Sequence, residues 1–162
     1  MLEFEGQVVI VTGSGSPKGI GRTIAATFAG QGATVVIADI NEAGIQETVD
    51  YITSLGGKAF GIPVNITEKE SVDNMVSTIV DKYGRIDVLI NNAGVSQKVT
   101  VEDMMLDDIK RIFNVNMFGL FLCTQAVLEP MKKAGYGRIV SLSSVSGKKR
   151  RRYLRGSSLF GL

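Results

Sequence analysis

The chain is expected to be an α/β protein built on a doubly wound parallel sheet. Three observations predict this. Short strand-like runs alternate with helical ones along the sequence. The runs QVVIVT and TVVIA are uniformly apolar and β-branched, as in strands buried on both faces. A glycine-rich turn stands between the first such run and the first helical one.

The elements follow in order. Gln7–Thr12 reads as the first strand and Gly13–Lys18 as a Gly/Ser/Pro loop. Gly19–Ala29 is predicted helical, with Ile20, Ile24 and Phe28 on one stripe and Gly32 beyond its end. Thr34–Ala38 is the second strand. The next helix spans Glu42–Leu55, with Ile45, Val49 and Ile52 aligned, and Gly56-Gly57 stops it. Lys58–Pro63 is a weaker third strand. Glu68–Lys82 reads as a helix, with Thr67 as N-cap and Glu70 at capping-box spacing. Asp87–Ile90 is the fourth strand, Asp107–Lys133 a long helical region bent or ended near Pro130, and Arg138–Leu142 the fifth strand. Strand–helix alternation implies right-handed crossovers between parallel strands.

Composition narrows the chemistry. With 162 residues, 44% of them apolar and 21% charged, the chain suits one soluble domain. No uninterrupted apolar run approaches the ~18 residues that suggest a membrane span, and the N-terminus lacks a basic region before its apolar run. Cytoplasm is therefore the expected location, with no membrane partner. Histidine is absent and Cys123 is the only cysteine. This excludes Ser-His-Asp and Cys-His catalysis, an internal disulfide and the common zinc sites, so no metal is expected. Cys123 and the six methionines read as core filler. Charge is uneven: residues 1–147 carry a net −4, whereas residues 148–162 carry +6 and no acid. The expected division is a dinucleotide-binding domain over 1–147 and a basic tail over 148–162.

The turn has its own physical logic. Gly13 permits a tight turn, and Gly19, Ile20 and Gly21 open the helix. Such glycines let backbone approach a pyrophosphate, and a helix N-terminus supplies free N–H groups and partial positive charge. Ser14 and Ser16 add hydroxyl donors. Asp39 ends the second strand, where an acid accepts hydrogen bonds from an adenosine ribose. Its charge opposes a 2′-phosphate and favours NAD. Lys18 argues for NADP, which stays as the alternative cofactor.

Four motifs resemble the short-chain dehydrogenase/reductase family: Thr12-Gly13…Gly19-Ile20-Gly21, Asn91-Asn92-Ala93-Gly94, Asn116 within NVNMFG, and GRIV…Ser143-Ser144-Val145. The resemblance implies a Rossmann-type sheet and hydride exchange between a nicotinamide dinucleotide and a small secondary alcohol or ketone. It implies that Gly13, Ser16, Gly19, Ile20 and Gly21 hold the pyrophosphate, and that Asp39 and Ile40 hold the adenosine ribose. Asn65 and Ile66 would lie beside the adenine, Asn65 standing where the family usually has an acid. Asn92, Ala93 and Gly94 would line the nicotinamide ribose. Asn116 would support a proton-relay water by opening its helix, and Ser144 would hydrogen-bond the substrate. Without the resemblance, Asn91 and Asn92 are also ordinary turn formers, Asn116 a polar helix-face residue, and Ser144 a strand-end cap. The family commonly forms dimers and tetramers through the long helix, so a homo-oligomer is an open option.

Two departures stand out. Five residues separate Gly13 from Gly19, where the family usually has three. The longer loop Ser14–Lys18 can bulge outward without moving its ends, leaving open which of Ser14, Gly15 and Ser16 meets phosphate. The family's chemistry also needs a Tyr a dozen or more residues after the Ser, and a Lys four beyond it. Here Tyr153 follows Ser144 by nine residues, Ser157 stands four further on, and no Lys follows Lys149. The expectation is a C-terminally truncated or frame-shifted member, its sheet incomplete after the fifth strand, inactive by itself; a non-catalytic dinucleotide-binding fragment is the alternative. Glycine codons read two bases on become arginine codons, which accounts for an Arg run in a Gly-rich loop. Nucleic-acid binding by the tail is not expected, because a single basic run lacks a recognition fold.

Overall fold

The computed structural model describes residues 3–144. Its strands are β1 (Val8–Thr12), β2 (Thr34–Asp39), β3 (Lys58–Pro63), β4 (Val88–Asn91) and β5 (Arg138–Ser141). They form one parallel sheet in the order β3-β2-β1-β4-β5. The chain winds outward from β1 through β2 to β3, then crosses to β4 and β5 on the other side. The order reverses between β1 and β4, and ligands of such sheets bind in the crevice at that point.

Strand period fixes two cores. Val8 and Ile10 face one side of β1, with Val36 and Ala38 of β2. They pack on α3 (Lys69–Tyr83) through Val72, Met75 and Ile79, and on α5 (Leu120–Ala134) through Cys123, Val127 and Met131. Val9, Val11, Val35 and Ile37 face the other side, against Ala25 and Ala29 of α1 (Ile20–Gly30) and Ile45 and Ile52 of α2 (Glu42–Ser54). With both faces covered, β1 is buried along its whole length. That is why its sequence shows no polar alternation.

The predicted elements are all present, with boundaries moved by one residue or so. Two local expectations are corrected. Thr67 does not cap α3: Glu68 occupies the cap position and makes no side-chain cap bond. Instead Asn65 organises this turn, its Oδ1 accepting from both Thr67 N (3.1 Å) and Thr67 Oγ1 (2.8 Å). Nor does Pro130 end its helix, for α5 continues to Ala134.

The long helical region is not uniform. It comprises α4 (Leu106–Phe113), a π-helical turn over Asn114–Gly119, and α5. As one run, Leu106–Ala134 is long and apolar enough by composition to cross a membrane, though its apolar residues are interrupted by charged ones. Here Cys123, Val127 and Met131 pack one stripe of it on the sheet, while most of the run is not buried.

Candidate dinucleotide site

Thr12, at the end of β1, closes the floor of the crevice. Its hydroxyl donates to Ile90 O (3.3 Å) and accepts from the backbone N–H groups of Asn92 and Ala93 (3.1 Å each). This places the start of the Asn92–Gly94 segment directly against the turn after β1. Gly13 is required there twice over. Its φ is +66°, and a Cβ would lie 2.6 Å from Ala93 Cα. Gly21 is required by contact alone: a Cβ would lie 2.5 Å from Asn92 Nδ2 and 2.6 Å from Gly13 O. The Asn92 amide bridges to Thr12 O (2.8 Å) and Gly13 O (2.9 Å), so it holds the turn's carbonyls.

The loop Ser14–Lys18 bulges outward over part of its length only. Its first two residues fold inward. Ser14 is fully buried and donates Oγ to Val11 O (2.7 Å). Gly15 is buried and donates its N–H to Asp39 Oδ2 (2.8 Å). Only Ser16, Pro17 and Lys18 are exposed. The cause is the small surface offered by α2, where Gly44 leaves room for the Gly15 carbonyl and Thr48 Oγ1 donates to Ser14 O (3.1 Å). Of the three candidates for phosphate contact, the Ser14 hydroxyl and the Gly15 N–H are engaged elsewhere, and Ser16 lines the cavity. Gly19 caps α1 without any side-chain cap bond and turns back through its N–H to Ser16 O (2.9 Å).

A cavity of about 520 Å³ opens at this edge of the sheet. That size suits a small organic ligand. Ten of the sequence-predicted residues line it: Gly13, Ser16 and Ile20 at one end, Asp39, Ile40, Asn65 and Ile66 on one wall, and Asn92, Ala93 and Gly94 on the other. Gly19, Gly21, Asn116 and Ser144 do not line it. Asn65 reaches it with its polar atoms already engaged, Nδ2 with Glu68 Oε1 (2.7 Å) and Oδ1 with Thr67.

Asn116 sits in the π-helical turn and brackets one residue of the loop after β4. Its Oδ1 accepts from Val95 N (2.8 Å) and its Nδ2 donates to Val95 O (3.0 Å). Gly119, at the end of that turn, leaves room for Ile66, whose Cδ1 would lie 2.7 Å from a Cβ. Ser144 is partly buried, three residues past β5, beyond the same edge of the sheet. Tyr153, Ser157 and the basic tail lie outside the described residues.

Sequence reasoning missed Arg111. It lines the cavity from α4, one turn before Val115, and its Nη2 donates to Gln97 Oε1 (3.1 Å). The Asn91 amide ties β4 to α5 and β5 through Thr124 Oγ1 (3.1 Å) and Ser141 Oγ (3.4 Å).

Comparison with known proteins agrees with this arrangement. A family model described as short chain dehydrogenase matches residues 7–155. The chain is 38% identical over 146 residues to a 3-oxoacyl-[acyl-carrier-protein] reductase of Thermotoga maritima, covering 90% of this chain and 58% of that protein. It is 37% identical to a 7alpha-hydroxysteroid dehydrogenase of Escherichia coli, over 91% of this chain and 56% of that one. Among solved structures, a 7 alpha-hydroxysteroid dehydrogenase complexed with NADH and 7-oxo glycochenodeoxycholic acid superposes with a TM-score of 0.85 at 36% identity, over 93% of this chain and 58% of that chain. The chain thus spans somewhat under three fifths of the length of these relatives.

Proposed function

The chain belongs to the short chain dehydrogenase family, and from that premise we propose that residues 1–147 bind a nicotinamide dinucleotide, NAD in preference to NADP, in the cavity at the reversal point of the sheet. The observation that carries this reading is the convergence of Gly13, Ser16, Asp39 and Asn92–Gly94 on that one cavity. Ser16 and the uncapped first turn of α1 suit a pyrophosphate. Asp39 suits the ribose hydroxyls and opposes a 2′-phosphate. Ile66 and Val115 supply apolar walls for the adenine.

When bound, the nicotinamide supplies or accepts a hydride, as in oxidation of a secondary alcohol or reduction of a ketone. Asn116 holds the loop carrying Gly94 and Val95 in register, and Ser144 supplies a hydroxyl for the substrate oxygen. We read the 162-residue polypeptide as a cytoplasmic, non-catalytic dinucleotide-binding unit. Its residues after Ser144 contain no Tyr with a Lys four beyond it, and a proton donor at the substrate oxygen is what such a pair provides.

Titration of NADH by fluorescence tests binding, and a panel of alcohols and ketones tests turnover. Saturable NADH binding is expected, weakened about 10- to 100-fold by Asp39→Ala, since hydrogen bonds to a charged group contribute about 1.5–3 kcal/mol. A folded chain that binds no dinucleotide overturns the site. Turnover by the purified chain overturns the non-catalytic reading. The gene sequence across codon 148 tests the frame-shift reading, which predicts a Tyr-x-x-x-Lys segment in another frame downstream.

A further inference from the structure

Asp39 is the group that reads the ribose in the function proposed above, and its carboxylate is held from both sides by backbone. Oδ2 accepts from Gly15 N (2.8 Å) and Oδ1 from Asn41 N (3.0 Å). Each oxygen keeps lone-pair capacity for a ribose hydroxyl. The fixed orientation costs the ligand nothing at binding, which is the advantage of preorganisation.

Gly15 cannot be replaced by a larger residue without moving this carboxylate. A Cβ there would lie 2.9 Å from both Asp39 Cβ and Asp39 Cγ. Asp39 is partly buried and lines the cavity, so its side chain yields only by turning out of its present position. Gly15 is in turn seated by α2. Its carbonyl lies where a side chain on Gly44 would stand, and Thr48 Oγ1 holds the neighbouring Ser14 carbonyl at 3.1 Å. Asn41 completes the circuit: its Oδ1 accepts from Gly44 N (3.2 Å) to cap α2, while its own N–H donates to Asp39. Gly44 and Thr48 are buried and do not line the cavity.

We propose that Gly15 is a positioning residue that sets dinucleotide selectivity by locking Asp39 against the loop, with α2 holding the lock through Gly44 and Thr48. A strand-end acid that is free to rotate can swing away from a 2′-phosphate. This one is tied at both oxygens and stays in its path. Lys18, a cation that would welcome such a phosphate, stands on the exposed part of the same loop. The inference rests on the dinucleotide-binding reading.

The test compares NADH and NADPH affinities of the 162-residue chain by fluorescence titration, with Tm recorded for each variant. The wild-type chain is expected to favour NADH. Gly15→Ala is expected to lower the NADH-over-NADPH preference about tenfold or more. Thr48→Val, which removes one hydrogen bond and keeps the volume, is expected to lower it about threefold and decides the matter if Gly15→Ala does not fold. Val127→Ala, on the opposite face of the sheet, is expected to lower Tm and leave the preference unchanged. A preference unmoved in Gly15→Ala and Thr48→Val overturns the lock while leaving dinucleotide binding intact, as does a wild-type chain that binds both dinucleotides equally. A wild-type chain that binds neither overturns both the lock and the reading beneath it.

Discussion

Thr12 makes three hydrogen bonds with one hydroxyl, and all three cross from β1 to β4 and the segment after it. Thr12→Val keeps the shape and removes every one of them. Two backbone N–H groups then lose their acceptor, and each stranded donor costs about 1–3 kcal/mol. We expect a loss of about 2–4 kcal/mol, read as a lower urea midpoint at unchanged slope, with Thr12→Ser restoring most of it. Cys123 shows the opposite kind of constraint. It is fully buried between α5 and the sheet, and desolvation pushes its thiol from 9.0 up to about 12. The thiolate is the reactive form. Folded protein at pH 8 is therefore expected to resist Ellman's reagent, and urea-unfolded protein to react at once. The same shift makes stability fall from pH 9 toward 12, because the unfolded chain loses its thiol proton first. Cys123→Ala should flatten that part of the pH profile.

The π-helical turn between α4 and α5 is the element on which the far side of the site depends. An extra residue in the turn redirects the side chains that follow, and such bulges occur often at functional positions. Asn116 uses this to reach Val95 with both ends of its amide. Asn116→Ala is expected to destabilise the fold by about 1–3 kcal/mol and to speed hydrogen exchange at the Val95 amide selectively. Equal acceleration across β4 would show that Asn116 merely supports the global fold. Period and turn chemistry made the strands and helices legible, because burial on both faces leaves an unbroken apolar run in β1 and β2. The glycine turn between β1 and α1 was legible from its order along the chain. The path of Ser14–Lys18 was not, since it is decided by Gly44 and Thr48, some thirty residues away on α2. The start of α3 misled for a related reason. Capping-box spacing identifies a pair of residues but cannot say that Asn65 will take the Thr67 hydroxyl first.

At the scale of the molecule, apolar surface is unevenly covered. Phe113, Met117, Phe118 and Phe121 follow one another along the helical run, and Phe121 is 61% exposed. All four residues of β5 are exposed, Ile139 and Val140 among them. Contiguous apolar surface and an open strand edge both promote association. The 162-residue chain is expected to bind anilinonaphthalene sulfonate while folded and to gain mass with concentration in light scattering. Phe121→Lys should reduce both signals. The strand order carries one more consequence, for the route by which the chain folds. β1 pairs with β2 across 26 residues, Val8 with Thr34, but with β4 across 79, Val9 with Val88. Closing the longer loop costs more chain entropy and is the slower event. The half-sheet β1-β2-β3 is thus expected to assemble first, and the crevice to come into being only when β4 docks. In refolding experiments, helical circular dichroism should recover ahead of NADH binding, so that the ligand reports the last step of folding and not the first.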